Sequence, residues 1–314
     1  MAQFEQLMAS NKRNSALLVV LFVLFICVLG GVLGWALLGD WRMAVPSIAL
    51  ALVVSTVGAL VGYYAGSSAV LALSGAKEIA KQDDPQLYNV VEELSIAAGL
   101  PMPALYVIET DSLNAFATGR DPQHAAVAVT RGLRERLGRD ELQGVLAHEL
   151  SHVKNFDTRF MTLMAVLVGV VVLVADIGMR SMFYGRRRSS SDRGGGGGGI
   201  MIIVALAAIL LAILAPIFAK LIQLAVSRQR EYLADASAAR LTRYPDGLAR
   251  ALEVLAADEA ALPTASRATA HLFIVEPLMA NGRRAGGHGM WSSHPPIEER
   301  IARLRTLGSM TAAE

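Results

Sequence analysis

The chain has 314 residues, of which 54% are hydrophobic and 18% are charged. An average soluble domain carries about 25% charged residues, so this composition disfavours both a disordered chain and a wholly soluble one. The 29 lysines and arginines nearly balance the 27 acidic residues, which gives no basis for nucleic-acid binding. The single cysteine, Cys27, excludes an intrachain disulfide framework and lies inside an apolar run.

Two long uncharged runs, residues 15–39 and 44–74, predict an N-terminal membrane anchor within residues 1–76. At about 1.5 Å per helical residue, each run is long enough to cross a hydrocarbon core of about 30 Å. The first run exceeds the length of a signal-peptide core, which favours an uncleaved anchor. Both runs contain glycines at a spacing that permits close helix contact, namely Gly30, Gly34, Gly58, Gly62 and Gly66.

Residues 77–159 have the composition of a soluble domain and are predicted to form its first part. Apolar positions on one face indicate a first helix, which ends at Gly99. Runs of β-forming residues between turn signals predict three strands, and a second helical pattern follows them. The predicted elements are a helix at 83–98, strands at 104–108, 115–118 and 125–130, and a helix at 139–155.

Residues 160–226 predict a membrane hairpin that divides the soluble domain. Apolar runs cover 160–179 and 200–226, and a flexible loop rich in arginine and glycine joins them at 185–199. Residues 227–314 are predicted to complete the soluble domain, with helices at 228–242 and 246–257 and a final turn and helix at 292–307. The chain is thus expected to contain about four transmembrane or membrane-associated helices.

Basic residues flank the apolar runs on one side, which predicts the orientation of the chain. They are Lys12, Arg13, Lys77, Lys81, Lys154, Arg159, Arg228 and Arg230. The loop at 39–43 on the opposite side is nearly neutral, so the N-terminus and both soluble segments are expected in the cytoplasm. Arginines within 180–193 oppose this assignment for the second hairpin. Either the last two runs form a hairpin on the cytoplasmic side, or the earlier helices dominate the orientation.

His148, Glu149 and His152 match the pattern H-E-x-x-H on a predicted helix. Positions four residues apart lie about 40° apart around a helix of about 3.6 residues per turn, so both imidazoles can reach one ion. Two neutral imidazoles suit Zn²⁺. Glu149 projects about 100° from His148 and is free to contact a water beside the metal as catalytic acid or base. A charged amphipathic helix with incidental histidines is the alternative interpretation.

Glu231 and Asp235 supply the further groups that a zinc site needs. A catalytic zinc site has three protein ligands and an open fourth position. Glu231 lies on a predicted helix after the fourth apolar run and offers a third ligand, and Asp235, one turn later, can accept the second N–H of a ligand histidine. Like charges at this spacing repel in a free helix, which disfavours an ordinary surface pair. The Glu-x-x-x-Asp arrangement is typical of gluzincins, so one zinc ion per chain is expected.

Asn114, Ala115 and His294 are the predicted contacts with substrate. Asn114 and Ala115 begin the motif Asn-Ala-Phe-Ala on a predicted edge strand, where an extended peptide can pair and the asparagine amide can hold a substrate carbonyl. His294 lies in the motif Ser-His-Pro-Pro and can donate to an oxyanion. A turn asparagine and a proline-led helix start are the alternatives. Asp157 either supports the metal helix or lies on the surface.

These motifs, in this order, resemble the HtpX family of heat-shock membrane proteases. The resemblance covers nearly the whole chain: two N-terminal membrane segments, the motifs at 114–117 and 148–152, two further apolar runs, and the motifs at 231–235 and 293–296. It implies an α-helical membrane protein with a small α+β gluzincin-like zinc protease domain. It also implies a cytoplasm-facing endopeptidase of the bacterial inner membrane, acting on misfolded or damaged membrane proteins in stress response and protein quality control.

Three other functions fit parts of this pattern. A CAAX-type prenyl-protein endopeptidase carries the same zinc motif but has more membrane spans than the four runs here. An intramembrane protease places its H-E-x-x-H within a membrane segment, whereas charged residues lie on both sides of the motif in this chain. A non-enzymatic zinc-binding membrane adaptor has no use for Glu149. The expected partners are protein substrates and the lipid bilayer, without nucleic acid, and the sequence indicates no oligomeric state.

Overall fold

The computed structural model describes residues 2–38, 40–167, 169, 228–258, 260, 262, 264, 269–275, 277 and 295–311. This part of the chain is mostly helical and contains one small mixed sheet. The elements are α1 (Ala2–Leu38), α2 (Ala44–Leu73), β1 (Ala76–Glu78), α3 (Pro85–Ala98), β2 (Ala104–Ile108), β3 (Ala115–Gly119), β4 (Ala125–Thr130), α4 (Arg131–Arg136), α5 (Arg139–Lys154), α6 (157–167), α7 (Arg228–Thr242), α8 (Pro245–Ala256) and α9 (Ile297–Thr311). The predicted fourth apolar run, the loop at 185–199 and the end of the third apolar run lie outside the described residues.

Helices α1 and α2 form a hairpin with an apolar outer surface. The segments Met8–Val32 and Trp41–Leu73 are long and apolar enough to cross a membrane. Many of their large apolar side chains are exposed, as expected of helices that face lipid. Gly30 lies so close to α2 that a Cβ at this position would be 2.5 Å from the Cβ of Ala51. The glycine spacing therefore does permit close helix contact, as predicted.

The four strands form one sheet in the order β1-β2-β4-β3, in which β2 and β4 are parallel and the other pairs are antiparallel. One face packs against α3, α5 and α8, around a core that includes Val91, Val127 and Leu146. The end of α2 and α6 cover the other face, through Leu71 and Met161. Because both faces are covered, β3 and β4 are buried along their whole length and do not alternate polar with apolar residues.

The predicted elements agree with the structure where their signals are local. Strands β2 and β4 have the predicted bounds, and β3 is one residue longer than predicted. Helix α3 begins after Asp84, whose side chain accepts from the N–H of Leu87, and it ends at Gly99 with φ 67°. The predictions missed β1 and α4, which are short and lack an apolar period. β1 is held by backbone pairing with β2, and no local sequence pattern predicts such pairing.

Helix α5 positions the site, and its C-terminal two-thirds are buried on every side. It packs against β3, α3, α7 and α8. Gly144 allows the close approach of α8, because a Cβ there would lie 2.6 Å from the backbone nitrogen of Leu248. Since α5 precedes the third apolar run and α7 follows the fourth, this packing joins the two predicted soluble segments.

Candidate metal centre

His148 and His152 lie one turn apart on α5, and both are buried. Their Nε2 atoms are 3.2 Å apart. Glu231, on α7, places one carboxylate oxygen 3.7 Å from Nε2 of His148 and the other 3.5 Å from Nε2 of His152. Zinc takes nitrogen and carboxylate ligands at about 2.0–2.2 Å, so two ligand atoms of a tetrahedral site are roughly 3.3 Å apart. The three side chains thus have the chemistry and the separation of a metal-binding set.

A carboxylate contacts the second ring nitrogen of each histidine. Oδ1 of Asp235 is 2.9 Å from Nδ1 of His148, and Oδ2 of Asp157 is 3.0 Å from Nδ1 of His152. An Nδ1–H donor to a carboxylate fixes the ring orientation and leaves Nε2 directed at the common centre. The structure brings Asp235 to the place that the sequence predicted. It also buries Asp157, for which a surface position was the alternative.

The buried charges of the centre shift one another's pKa values. Burial opposes protonation of His152, but the carboxylates of Asp157 and Glu231 raise its pKa to about 9. Burial lowers the pKa of His148. Burial by itself would raise the pKa of Asp235, whereas the guanidinium of Arg300 and the imidazole of His148 lower it to about 2. The centre therefore combines an Asp235 carboxylate that stays ionised with two imidazoles, each oriented by a carboxylate.

Glu149 lies between the two histidines in sequence and is 1% exposed. Burial raises the pKa of its carboxyl group to about 8, although His152 and the backbone N–H of Ala117 act in the opposite direction. Its Oε1 atom has no hydrogen-bond partner among the described residues. A buried carboxyl group with an unpaired oxygen and a raised pKa is typical of a side chain that exchanges a proton during catalysis.

Arg300 is the main participant that the sequence analysis missed. It extends from α9, is 1% exposed, and makes two hydrogen bonds of 2.9 and 2.7 Å to the carboxylate of Asp235. Its Nη2 is 3.4 Å from Nδ1 of His148, and its Nη1 is 3.6 Å from Glu231 and donates to the backbone oxygen of Ile274. Burial disfavours the charged guanidinium, but Asp235 raises its pKa. Arg300 therefore supplies the positive charge that balances the acidic groups.

A sequence signal for Arg300 existed. Ile297, Ile301 and Leu304 define the face of α9 that packs on the core, and Arg300 lies on that same face. A charged residue on an apolar helix face is buried only when it has a partner. The partner, Asp235, lies far away in the sequence. The pattern therefore indicated that Arg300 is buried, but it did not indicate which group Arg300 contacts.

Strand β3 is an edge strand as predicted, yet its outer edge is already paired. The backbone N–H of Ile274 donates to the oxygen of Ala115 at 3.0 Å, and the amide of Asn114 donates to the oxygen of Val275 at 2.9 Å. The ring of Phe273 contacts Phe116 edge to face at 5.1 Å. The segment 273–275 of the chain itself thus makes the contacts that the sequence analysis assigned to an extended substrate.

Two further histidines, His271 and His294, lie in the C-terminal part of the sequence. His294 lies outside the described residues, which resume at Pro295 and continue into α9. His271 is buried, and its Nε2 is 3.0 Å from the backbone oxygen of Met161. This contact joins the residues just before the segment 273–275 to α6.

The fold and this centre define a metal-dependent hydrolase with an H-E-x-x-H helix. The model of peptidase family M48 matches residues 81–307. The chain is 43% identical to a protease HtpX homolog of Dictyoglomus turgidum over 308 residues, which cover 97% of this chain and 95% of the relative. It is 42% identical to a protease HtpX homolog of Streptococcus pyogenes over 302 residues, which cover 96% of this chain and 99% of the relative.

Among solved structures, the crystal structure of S. mikatae Ste24p matches 95% of this chain and 66% of that chain, with 21% identity and a TM-score of 0.48. The chain belongs to peptidase family M48. It is a membrane metalloprotease of the HtpX type, as the order of its motifs predicted.

Proposed function

We propose that the chain is a zinc-dependent endopeptidase with a gluzincin-like centre, in which His148, His152 and Glu231 bind one Zn²⁺ ion. The observation that carries this proposal is the convergence of the three side chains, with ligand atoms 3.2–3.7 Å apart. Two imidazoles and one carboxylate are a common ligand set for a catalytic zinc. Asp235 and Asp157 complete the site as acceptors for the two imidazole N–H groups.

Glu149 acts as the catalytic acid and base in the proposed reaction. Bound zinc would supply Lewis acidity, which polarises the scissile carbonyl and makes an attacking water more acidic. Glu149 takes the proton of that water and passes it to the leaving amine. Burial raises the pKa of this carboxyl group above that of an exposed glutamate, which favours its return of the proton to the leaving amine. Water is the nucleophile, so the single cysteine and the serines have no part in the reaction.

Asn114 and Ala115 bind an extended peptide in this proposal, and His294 stabilises the oxyanion. Pairing to the backbone of β3 gives affinity with little dependence on substrate sequence. The segment 273–275 occupies this edge through Ile274 and Val275. An extended substrate that uses the same backbone groups must therefore displace these residues before it can reach the metal-binding set.

The proposed location is the inner membrane of a bacterium, with several spans, and with the N-terminus and the protease domain in the cytoplasm. The substrates are then misfolded or damaged membrane proteins. The basic residues that flank the apolar runs support this orientation. A cysteine introduced on the surface of residues 77–159 should react with a membrane-impermeant reagent only after lysis. Labelling in intact cells would reverse the orientation, and labels at 186–193 would locate the arginine-rich loop.

The alternative activity is that of a CAAX-type prenyl-protein endopeptidase, and the alternative without catalysis is a zinc-binding membrane adaptor. Cleavage of a prenylated peptide in preference to casein would favour the first. The buried carboxyl of Glu149, whose Oε1 has no hydrogen-bond partner in the described part of the chain, argues against the second, because an adaptor gains nothing from this arrangement. Helix α5 packs on the sheet and not among α1 and α2, which disfavours an intramembrane protease.

Glu149→Gln gives the decisive comparison. The variant keeps the shape of the side chain but cannot carry a proton between water and amine. Purified in detergent, it should contain stoichiometric zinc and melt near the wild-type temperature, while its hydrolysis of casein falls to background. Zinc content with substantial turnover would remove Glu149 from the mechanism. Wild-type protein that binds zinc but cleaves nothing would support the adaptor. Membrane proteins that accumulate only with Glu149→Gln would identify substrates.

A further inference from the structure

The first residues of the α1 membrane span contact the turn that follows the metal-binding helix. Asn11 is 1% exposed, and its amide nitrogen donates to the backbone oxygen of Asn155 at 2.9 Å and to Oδ1 of Asp157 at 2.6 Å. The next residue, Lys12, places its ammonium group 4.3 Å from the ring centre of Phe156. Two consecutive residues of α1 thus contact both residues of the turn between α5 and α6, and the first residue of α6.

The backbone of this turn has an uncommon conformation. Helix α5 ends at Lys154, Asn155 is its C-cap, and Phe156 has φ 60°, in the left-handed region that residues other than glycine rarely adopt. The reversal starts α6 at Asp157, so that its carboxylate lies beside the last turn of α5. Asn11 bonds to the residues on both sides of Phe156. Surrounding contacts are what keep a side-chain-bearing residue in this conformation, and Asn11 supplies two of them.

The carboxylate of Asp157 is held at both oxygens. Oδ2 is 3.0 Å from Nδ1 of His152, and Oδ1 accepts the amide of Asn11. The guanidinium of Arg230 lies farther away, with Nη1 3.7 Å from Oδ1. Asn11 is therefore the short, directional contact that fixes this carboxylate, and the carboxylate in turn fixes the imidazole ring of His152.

We propose that Asn11 is a positioning residue for the metal centre, which acts through Asp157 on His152. Helix α1 then has a second role besides anchoring, because its membrane-proximal residues determine the orientation of a metal ligand. The inference rests on the proposed binding of zinc by His148, His152 and Glu231. It concerns the affinity of the site for metal and does not depend on the peptide substrate.

The packing of α1 on α6 supports a direct mechanical link. Leu18 and Phe22 of α1 form a buried cluster with Phe160, Met164 and Leu167 of α6. Asn11 lies at the end of this contact nearest to the metal-binding set. A displacement of α1 relative to α6 would thus change the Asn11–Asp157 distance.

The test measures zinc affinity of full-length protein in detergent, by competition with a chromophoric chelator. The variants are Asn11→Ala, Asp157→Asn, the double variant, and Ser15→Ala as the matched control. Ser15 is buried on the same helix, and its hydroxyl donates to the backbone oxygen of Asn11, with no bond to Asp157 among the residues that the structure describes. Loss of an acceptor beside a ligand histidine usually weakens metal binding by about 10–100-fold. We expect this range for Asp157→Asn and about tenfold for Asn11→Ala, with Ser15→Ala like wild type.

The double variant separates positioning from general packing. If Asn11 acts through Asp157, the double variant should bind zinc no more weakly than Asp157→Asn alone. The visible spectrum of the cobalt-substituted protein should change in the same way in both single variants. Asn11→Ser replaces the amide donor by a hydroxyl donor and should give an intermediate zinc affinity. This variant maintains the test if Asn11→Ala fails to fold.

Two results overturn the proposal. Multiplied losses in the double variant would mean that Asn11 acts independently of Asp157. Wild-type affinity and an unchanged cobalt spectrum in Asn11→Ala would mean that its contacts do not orient His152. Both results leave zinc binding by the wild type intact. Wild-type protein that binds no zinc would instead refute the proposed function, and this inference with it.

Discussion

Replacement of Arg300 by methionine tests whether the charge balance of the buried centre stabilises the fold. Methionine fills a similar volume without a charge. The variant leaves the carboxyl group of Asp235, which is 6% exposed, without its two short hydrogen bonds from the guanidinium. Removal of one partner of a buried ion pair destabilises a protein by about 3–5 kcal/mol, because the remaining charge is uncompensated. For a domain of this size, that corresponds to a fall in Tm of roughly 6–20 °C.

The assay is thermal unfolding of the full-length protein in detergent, with a chelator present so that metal binding does not contribute to Tm. Arg305→Met is the matched control on the same helix. Arg305 pairs with Glu253, and the two side chains are 58% and 42% exposed. An exposed pair contributes about 0.2–1 kcal/mol, so the control should lose less than about 4 °C.

A double variant checks the cause of the effect. Asp235→Asn in the Arg300→Met background removes the uncompensated charge, so it should recover part of the lost stability. A Tm for Arg300→Met within the range of the control would refute the reasoning. It would mean that His148 alone balances Asp235, or that water reaches the carboxylate when the guanidinium is absent.

The same geometry gives two further expectations. Glu231→Gln should weaken zinc binding and peptidase activity together, and more severely than Asp235→Asn, for which a loss of about 10–100-fold is usual. Asp235→Asn should lower Tm more than Glu231→Gln does, because Asp235 is the carboxylate closer to Arg300, at 2.7 Å against 3.6 Å for Glu231. Full zinc occupancy of Glu231→Gln at limiting metal would place the third ligand elsewhere. A peptide hydroxamate inhibitor should increase amide hydrogen exchange in residues 270–277. The hydrogen bond from the Ile274 N–H to the backbone oxygen of Ala115 must open before β3 can pair with a peptide. Unchanged exchange would mean that substrate binds to another surface.

The predicted elements that the structure confirms are those with local causes. Helix α3 has an aspartate N-cap, a proline in its first turn and a glycine after its end, and each acts within a few residues. The proximity of His148 and His152 follows from helical geometry alone, because residues four apart share a face. The two long uncharged runs likewise indicated spans, since length and lack of charge are sufficient for that inference.

The order of motifs contained more information than any single motif. It led from the sequence to the protease family, because two membrane segments, H-E-x-x-H, Glu-x-x-x-Asp and Ser-His-Pro-Pro occur together in one chain. The family matches agree with that inference. The sequence also offered Glu231 as a third ligand, because it lies on a predicted helix just after the fourth apolar run. The packing of α7 on α5 is what brings its carboxylate near the imidazoles.

The partners of the buried charges were decided by the tertiary structure. Arg300 and Asp235 come from different helices, and Asn11 reaches Asp157 from the membrane hairpin. The same is true of the outer edge of β3, which residues far along the chain cover. The sequence by itself determined most of the helices and strands and the residue types of the candidate metal-binding set, because these depend on neighbours within a few residues. The pairing of the buried charges and the segment that covers the edge strand depend on burial. Burial arises only when distant segments pack together and exclude water.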